Sequence, residues 1–368
     1  MSLAFYRKYR PQDFGTLIGH DELRAALQNA ARQNSFSHAY LFYGARGTGK
    51  TTVARLVAKI ANCKTRGEDA VFSAKGEPCN ACAHCDAINT GLALDVIEID
   101  AASNRGIDEI RALKDGIRLS PSLLPRKVYI IDEAHMLTGG AFNALLKTLE
   151  EPPAHAIIIL ATTEYDKIPS TILSRTQRFH FRKLPLKHIV AKLKNIVKAE
   201  GLAIDEGALA AIAASADGGF RDAESLLHQV VSYNPAATAE DVSKMIGKAG
   251  EGAVADFANL LVKKDLPGAM RFISALYNEG HNLTDFNKSL INHLRRALAL
   301  KFDPTLAAEY ELEIAPDSIA ALKLQSAALE PALAITLIKS LIRAYGELRY
   351  SPLVIAPLEI AVIENLQK

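Results

Sequence analysis

Apolar residues in the first half of the chain occur in short runs that alternate with stretches of helical spacing. Five short runs predict β-strands, at 39–43, 96–99, 128–131, 157–160 and 178–181. Between the runs, apolar residues recur at i, i+3, i+4 and i+7, for example at Phe142, Leu145, Leu146 and Leu149, which predicts amphipathic helices. Short apolar strands that alternate with helices are typical of a parallel sheet covered on both faces. We therefore expect an α/β domain over residues 1–182.

The strand pattern stops at about residue 183. Apolar residues at helical spacing in 183–242, such as Ile189, Leu193 and Ile196, predict a small helical domain. The remainder, 243–368, is also expected to be all-helical. Its helices should break near Pro267, Asn282, Pro304, Pro316 and Pro352.

Composition restricts the class of protein. The 368 residues include 43 Lys and Arg against 41 Asp and Glu, a formal net charge of +2, which excludes a strongly basic nucleic-acid coat but not a local basic patch. No apolar run reaches the roughly 18 residues of a membrane span. The basic N-terminal stretch lacks the apolar core of a signal peptide. We expect a soluble cytoplasmic protein without a membrane partner.

A phosphate-binding loop lies between the first strand and the helix that follows it. The stretch 44–51 matches G-x-x-x-x-G-K-[ST] and consists of Gly44, Ala45, Arg46, Gly47, Thr48, Gly49, Lys50 and Thr51. Glycines allow successive backbone N–H groups to turn toward phosphate oxygens, and the start of the helix adds its positive dipole end. Lys50 is expected to reach the β- and γ-phosphates, and Thr51 to hold Mg²⁺.

A second motif, which is acidic, supplies the metal ligand and the base that nucleotide hydrolysis requires in addition to a phosphate loop. The strand at 128–131 ends in Asp132 and Glu133. Asp132 is expected to complete the Mg²⁺ shell through water, and Glu133 to act as the general base for the attacking water. Together the two motifs predict hydrolysis of ATP or GTP.

All four cysteines of the chain lie between residues 63 and 85, namely Cys63, Cys79, Cys82 and Cys85. Thiolates in a C-x-x-C-x-x-C run, with one more from the end of the preceding helix, can converge on one tetrahedral ion. His84 is a possible substitute ligand, although four thiolates already fill the sphere. A closed four-sulfur site leaves no position for water, so the cysteines predict a structural zinc.

With these motifs in place, the chain resembles the tau/gamma subunits of the bacterial DNA polymerase III clamp loader, which are AAA+ ATPases of DNA replication. The resemblance is strong over about residues 1–245. It rests on Lys8-Tyr9-Arg10-Pro11, the four cysteines, Ile99-Asp100-Ala101-Ala102-Ser103, Asp132-Glu133-Ala134-His135-Met136-Leu137, the run from Phe142 to Pro153, Ala161-Thr162-Thr163, Ser174-Arg175 and Gly219-Phe220-Arg221-Asp222-Ala223. It implies an AAA+ ATPase domain with an inserted zinc knuckle over 1–182, a helical lid domain over 183–242 and a helical collar domain over 243–368.

The resemblance also implies roles for individual residues. Thr163 matches the first sensor of the γ-phosphate, Arg221 the second sensor on the lid, and Arg175 the arginine finger that acts on the nucleotide of a neighbouring subunit. The adenine is expected to pack against Tyr9, Arg10, Pro11 and Ile18. Simpler roles remain open: a surface ion pair for Arg175, a cap or pair with Asp222 for Arg221, a strand-end hydroxyl for Thr163 and packing for the N-terminal residues.

The implied partners are the delta and delta prime subunits, further copies of this chain in a five-membered ring, the sliding clamp and primed DNA. Contacts with DNA would be made through its backbone by Ser103, Asn104 and Arg105, which precede a helix start. An ordinary capped helix is the alternative. Longer tau chains continue into segments that bind the helicase and the polymerase, so these contacts are doubtful in a chain of this length, whether it is a short gamma-like form or part of a longer one.

Two other functions fit parts of the pattern. A non-hydrolysing clamp-loader scaffold is disfavoured because Lys50, Thr51, Asp132 and Glu133 are intact, whereas the family's scaffold subunit typically has a degenerate phosphate loop. An AAA+ helicase or recombination motor is disfavoured by the cysteine cluster and the run at 142–153. One departure from the family is Thr176, which stands where Ser-Arg is usually followed by Cys.

Overall fold

A five-stranded parallel sheet organises the N-terminal part of the chain in the computed structural model, which describes residues 3–104, 106–246, 251–311 and 316–367. The strands are β1 (Ala39–Gly44), β2 (Val96–Asp100), β3 (Lys127–Asp132), β4 (Ala156–Thr162) and β5 (Gln177–Phe181). Their order in the sheet is β2-β3-β4-β1-β5. Every predicted strand is present, and each is one to three residues longer than its apolar run.

Helices cover both faces of the sheet and form the C-terminal part. Those up to residue 173 are α1 (Phe5–Lys8), α2 (Asp21–Arg32), α3 (Lys50–Asn62), α4 (Lys64–Glu68), α5 (Ala70–Ser73), α6 (Ala83–Thr90), α7 (Ile107–Arg118), α8 (Gly139–Glu150) and α9 (Ser170–Leu173). The next four are α10 (Leu186–Glu200), α11 (Glu206–Ser215), α12 (Phe220–Tyr233) and α13 (Ala239–Ile246). The last seven are α14 (Glu251–Val262), α15 (Leu266–Asn278), α16 (Leu283–Phe302), α17 (Ala307–Tyr310), α18 (Pro316–Ala328), α19 (Pro331–Glu347) and α20 (Ala356–Leu366). Short 3₁₀ turns occupy Ala134–Met136, Tyr165–Lys167 and Pro304–Leu306.

Side chains of each strand alternate between two apolar cores, one on each face of the sheet. Tyr40 and Phe42 of β1 pack in one core with α2 and α3, while Leu41 packs in the other core with α7 and α8. All seven residues of β4 are buried. This double burial explains why the strands read as continuous apolar runs, and it confirms the expected α/β sheet.

The parallel sheet has two chemically distinct ends. In register, Tyr40 pairs with Gln177 and Gly44 with Phe181, so β1 and β5 run side by side in the same direction. The phosphate loop follows β1 and the acidic pair follows β3, and both therefore lie at the carboxyl ends of the strands. This is the edge at which open α/β sheets bind ligands.

The chain divides into two compact units. One contains residues 1–184 together with 191–196 and 216–228, and the other contains 185–190, 197–215 and 229–368. The predicted domain boundaries after residues 182 and 242 stay predictions. The first unit holds the sheet and both cores described above.

The second unit is helical in its described residues, as the sequence predicts. In its C-terminal part α16 packs against α14, α18 and α19, and an apolar core joins residues such as Phe257, Phe286 and Leu341. Two of the expected breaks coincide with helix starts: Asp265 caps α15 ahead of Pro267, and the Asn282 side chain accepts hydrogen bonds from two N–H groups at the start of α16.

Within the described residues, no single helix has the length and apolar character needed to cross a membrane. One pair of helices, Ile319–Ala328 and Pro331–Glu347, meets that criterion jointly by length and composition, with a bend of 117° between them.

Candidate active site and metal centre

The phosphate loop has a backbone shape that requires glycine. Gly44 has φ of 142°, and a Cβ built there would lie 2.0 Å from the Phe181 carbonyl oxygen of β5. Gly49 has φ of 103° and is the residue from which α3 starts. The loop therefore turns tightly between β1 and α3, and the N-terminal end of α3 opens onto it.

Lys50 lies inside this loop and is almost completely buried. Its Nζ donates hydrogen bonds of 2.8 Å to the carbonyl oxygens of Gly44 and Ala45. Burial lowers the pKa of Lys50, an effect that the charges of Glu133 and Asp132 oppose. The ammonium group thus bonds to two neutral carbonyl oxygens. A phosphate oxygen could take their place, and because it is charged it would bind the ammonium more strongly.

Thr51 and Asp132 form the second contact of the site although they are 81 residues apart. Thr51 Oγ1 donates to Asp132 Oδ2 at 2.8 Å. The hydroxyl comes from the first turn of α3 and the carboxylate from the end of β3. A hydroxyl and a carboxylate oxygen side by side are ligands that suit Mg²⁺, so the geometry fits the ion predicted from the sequence.

Glu133 is oriented by neighbours on two strand ends. Its backbone is left-handed, with φ of 47°, a conformation that is uncommon for a residue with a Cβ and that often marks functional sites. Thr163, directly after β4, donates from Oγ1 to Glu133 Oε2 at 2.9 Å. His135 Nδ1 lies 3.5 Å from the same oxygen, and its Nε2 lies 3.1 Å from Glu164 Oε1. Thr163 therefore reaches the predicted base itself.

A cavity of about 720 Å³ extends from the phosphate loop across the first unit. Arg10, Pro11 and Ile18, three of the residues expected at the adenine, line it. Tyr9 is not among the lining residues: its carbonyl oxygen accepts a 2.7 Å hydrogen bond from Lys192 Nζ. Its ring packs edge-on against Phe5.

Arg221 lies in the same cavity, at the first turn of α12. The Phe220 amide donates to the Gly47 carbonyl oxygen at 2.9 Å and so joins the start of α12 to the phosphate loop. The Arg221 guanidinium lies over the Tyr6 ring, 5.2 Å from its centroid, as a cation–π pair. The role of Arg221 as a sensor of the nucleotide stays a prediction.

Several cavity residues have no motif that would have identified them from the sequence. Lys192 of α10 lies 3.8 Å from Glu224 of α12, and both are nearly buried. Burial raises the pKa of Glu224 to about 7, although Lys192 and Arg10 oppose the shift. Tyr6, Lys59 and Asn89 also line the cavity. These residues come together at the cavity only in the folded chain, because they belong to segments that are far apart in the sequence.

Arg175 lies elsewhere in the first unit. It lies two residues before β5, whereas the phosphate loop follows the neighbouring strand β1, so the two occupy opposite ends of the parallel sheet. Its Nη2 donates to Glu150 Oε1 at 2.6 Å, and its Nη1 donates to the Thr171 carbonyl oxygen at 2.8 Å. Arg175 is half-buried, and it lies at the end of the sheet opposite the cavity of its own chain.

The four cysteines converge as predicted. The sulfur atoms of Cys63, Cys79, Cys82 and Cys85 all lie within 4.8 Å of one another, a spacing that fits a single tetrahedral ion. His84 is turned away from this role, since its Nδ1 lies 2.9 Å from the Asn62 carbonyl oxygen.

Hydrogen bonds around the sulfur atoms favour thiolates at the more exposed cysteines. Burial raises the pKa of Cys79, but hydrogen bonds from the Thr65 hydroxyl and from the N–H groups of Ala81 and Cys82 outweigh it and lower the pKa to about 6. Burial raises the pKa values of Cys63 and Cys85. A bound cation would hold all four as thiolates.

The segment expected at DNA is described only in part, because Arg105 lies outside the described residues. Ser103 and Asn104 are exposed, and both bond to Asp100: Ser103 Oγ donates to its Oδ2 at 2.9 Å, and Asn104 Nδ2 donates to its carbonyl oxygen at 3.1 Å. Their backbone N–H groups also turn back to the Asp100 carbonyl. Contact with DNA stays a prediction.

A parallel sheet with a phosphate loop after β1, an acidic pair after β3 and a hydroxyl after β4 defines a P-loop ATPase fold of the AAA+ class. Three family models match the chain in succession. They are described as DNA polymerase III, delta subunit (residues 19–185), DNA polymerase III clamp loader subunit, ATPase lid domain (188–235), and DNA polymerase III subunits gamma and tau domain III (237–367).

Curated relatives agree with these matches. The chain is 47% identical to DNA polymerase III subunit tau of Bacillus subtilis over 82% of its own length and 53% of that protein. It is 36% identical to DNA polymerase III subunit gamma of Buchnera aphidicola over 82% of its own length and 80% of that protein. The chain belongs to the tau/gamma family of DNA polymerase III subunits, and it spans about half the length of the first curated relatives it matches.

Among solved structures, the chain is similar to the RuvB Holliday junction branch migration motor of Thermotoga maritima, with 19% identity and a TM-score of 0.47. The alignment covers 69% of this chain and 79% of that one. A similarity of this size assigns no function.

Proposed function

We propose that the chain is an ATP-hydrolysing motor subunit of a bacterial clamp loader, which opens a sliding clamp and places it on primed DNA. The observation that carries this proposal is the convergence of Lys50, the Thr51–Asp132 pair and the Thr163–Glu133 pair at one edge of the sheet. A chain of the tau/gamma family with all of these groups in bonding contact is equipped for hydrolysis rather than for a scaffold role alone.

Each polar group has a task in this reaction. Lys50 would exchange its two carbonyl partners for β- and γ-phosphate oxygens, and Thr51 and Asp132 would hold Mg²⁺. The ion, when bound, neutralises charge that develops on the transferred phosphoryl group. Glu133 would accept the proton of the attacking water while Thr163 and His135 keep its carboxylate in place.

Arg221 would bind the γ-phosphate from the first turn of α12. Arg175, at the opposite end of the sheet, would supply its guanidinium to the nucleotide of an adjacent subunit. This assignment requires a ring in which the Arg175 end of one chain meets the cavity end of the next. Partners of the delta and delta prime kind, the sliding clamp and primed DNA belong to the same proposal.

The four cysteines would hold one structural zinc with four sulfur ligands. Because such binding energy is folding energy, metal removal should lower the melting temperature of the first unit. Metal analysis should find about one zinc per chain, and X-ray absorption should give a four-sulfur tetrahedral shell with Zn–S distances of about 2.3 Å. A metal-free chain with unchanged melting behaviour would contradict this assignment.

The test of the function is the stimulation of ATP hydrolysis by partners. We expect hydrolysis by the assembled loader to rise when the sliding clamp and primed DNA are present together, more than with either alone. Stimulation by DNA that is independent of the clamp would instead indicate a helicase or recombination motor. Absence of nucleotide binding in calorimetry would indicate a non-hydrolysing scaffold.

A further inference from the structure

Residues 63–90, which we call the cysteine module, contact two parts of the chain at Glu77: residues 10–18, which we call the N-terminal segment, and helix α2 that follows it. The Glu77 carboxylate accepts hydrogen bonds from the Phe14 backbone N–H at 2.8 Å and from Gln28 Nε2 at 2.7 Å. Phe14 is completely buried in the core beneath α2 and α3. Gly76 approaches so closely that a Cβ built there would lie 2.8 Å from the Gln28 carbonyl oxygen. The module is therefore packed tightly against this segment.

A second connection passes through Lys59, which is 2% exposed. Its Nζ donates to Gln12 Oε1 at 2.8 Å and to Asn89 Oδ1 at 2.7 Å. Lys59 lies on α3, two turns beyond the phosphate loop, and Asn89 lies on α6 of the cysteine module. One buried ammonium thus joins the helix of the phosphate loop, the cysteine module and the N-terminal segment.

Both connections end at the cavity. The N-terminal segment and the last turn of α6 contribute neighbouring parts of its wall, which include Arg10, Pro11, Gln12, Ile88, Asn89 and Thr90. The cysteines determine where α6 lies, because Cys82 caps its first turn and Cys85 lies within it. A metal that fixes these two sulfur atoms would also fix the part of the wall that α6 provides.

We propose that the cysteine module is part of the nucleotide site: through Glu77 and Lys59 it holds the N-terminal wall of the cavity in position and so strengthens nucleotide binding. The inference rests on the proposed nucleotide site, and it gives the module a task beyond stabilising the fold. Glu77 is a positioning residue, since it does not line the cavity and acts through the segment that it holds, whereas Lys59 holds the same segment and also lines the cavity.

The experiment measures binding of Mg-ADP to the zinc-loaded chain by calorimetry, so that no turnover is needed. The variants are Lys59→Met, which keeps the length of the side chain but removes the donor, and Glu77→Ala. Matched controls from the same module are Lys64→Met and Glu68→Ala, whose exposed side chains share only one ion pair of 3.8 Å. Zinc content and melting temperature are recorded for every variant.

We expect Lys59→Met and Glu77→Ala each to retain one zinc per chain and to weaken Mg-ADP binding about tenfold, the size expected when hydrogen bonds of a charged group are lost. The two controls should bind like the wild type. Hydrogen exchange should also quicken at the Phe14 amide in Glu77→Ala, since its acceptor is gone.

The outcomes separate this inference from the proposed function. If the wild type binds Mg-ADP and both variants bind it equally well while exchange at Phe14 is unchanged, the module does not hold the wall and the inference is wrong. If the zinc-loaded wild type binds no nucleotide, the proposed function itself fails. A variant that melts early but binds with wild-type affinity also contradicts the inference, because it shows a purely structural role.

Discussion

The two ends of the central sheet differ in how complete their chemistry is. At the carboxyl ends of the strands, Lys50, Thr51, Asp132, Glu133 and Thr163 come from three strand ends and bond to their neighbours within one cavity edge. At the opposite end, the half-buried guanidinium of Arg175 bonds to a surface carboxylate, Glu150, and to nearby oxygens of Thr171 and Ser174.

This difference suggests a division of tasks: one chain would bind the nucleotide, and a second chain would supply the arginine for its hydrolysis. Under the proposed function, the carboxyl end supplies the groups for phosphate, metal and water, and a single chain would then suffice to bind nucleotide. The other end offers a cation that its own cavity cannot use. An exposed pair such as Arg175–Glu150 contributes little to stability and can be exchanged for another anion at small cost.

Lys50→Ala should have the largest effect, because it removes the main cation of the carboxyl end. We expect tight ATP binding to be lost, since the γ-phosphate then has no buried ammonium as partner. Equilibrium binding of fluorescent ATP measures the effect, and the exposed Lys187→Ala is the control. Near-normal affinity in Lys50→Ala would show that the loop does not hold the phosphates.

Arg175→Ala tests the other end of the sheet. Nucleotide affinity should stay nearly intact, while hydrolysis by the assembled ring should fall by about 10³–10⁵, the range for an arginine supplied in trans. Arg178→Ala serves as a control, because it removes an exposed arginine of β5 whose guanidinium donates to the Tyr165 hydroxyl.

Rings assembled from two different variants test directly whether Arg175 acts on the nucleotide of a neighbouring chain. Rings that combine Arg175→Ala chains with Lys50→Ala chains should recover some activity where a Lys50→Ala chain offers its intact arginine to an Arg175→Ala neighbour. An inactive mixture with verified mixed assembly would contradict a role in trans. Loss of ATP binding by Arg175→Ala alone would do the same.

Glu133→Gln should keep ATP bound but slow hydrolysis by about 10²–10⁴, the usual contribution of a general base. The amide keeps the shape of the side chain and an oxygen for the Thr163 hydroxyl, so binding is expected to be preserved. Single-turnover hydrolysis and ATP affinity are the two measurements. Wild-type turnover in this variant would remove Glu133 from the role of base.

The smallest effects are expected from two buried acids, Glu224 at the cavity and Asp95 just before β2. Burial raises the pKa of Glu224 to about 7. Because the folded state then binds more protons than the unfolded chain, stability should fall as the pH rises from about 4.5 to 7. Burial also acts on Asp95, but N–H groups of Leu123, Leu124 and Ser122 outweigh it and lower its pKa. Its contribution should persist above about pH 4 and be lost on acidification.

Chemical unfolding across pH 4–8 compares the acids through Glu224→Gln and Asp95→Asn. Glu224→Gln should remove the loss of stability toward pH 7. Asp95→Asn should lower the free energy of unfolding at pH 7 by about 1.5–3 kcal/mol, the cost of losing hydrogen bonds to a buried charge. Parallel pH profiles in wild type and both variants would show that neither acid titrates as its surroundings predict.

The elements of the first unit were largely predictable from local pattern. Helix α3 (Lys50–Asn62) follows the phosphate loop as the sequence predicts, because a loop motif and an apolar stripe specify the same segment. Strand ends shifted by one or two residues, since apolar runs mark the buried part of a strand and hydrogen bonding continues beyond it. Helix α2 was not predicted, although Leu23, Leu27 and Ala31 repeat at i, i+4 and i+8 on its buried face.

The candidate site was predictable where its residues belong to contiguous motifs. Tyr9 shows the limit: the N-terminal segment that resembles the family lies at the cavity, but Arg10 and Pro11 line it, whereas Tyr9 contributes a carbonyl oxygen to Lys192. Lys192 and Glu224 lie on helices α10 and α12, and the apolar spacing that predicts these helices comes from other residues of the same segments. Nothing in that pattern distinguishes a buried polar residue from an exposed one.

Local patterns are enough to predict the candidate chemical groups, because phosphate loops, acidic strand ends and cysteine spacing are each recognised from residues close together in the chain. Which distant groups meet is fixed by the fold. The strand order β2-β3-β4-β1-β5 brings Thr163 to Glu133, and the packing of α3 against α6 brings Lys59 to Asn89 and Gln12. These contacts depend on how the apolar faces of distant elements pack together. The sequence immediately around each polar residue does not show which distant residue this packing will place beside it.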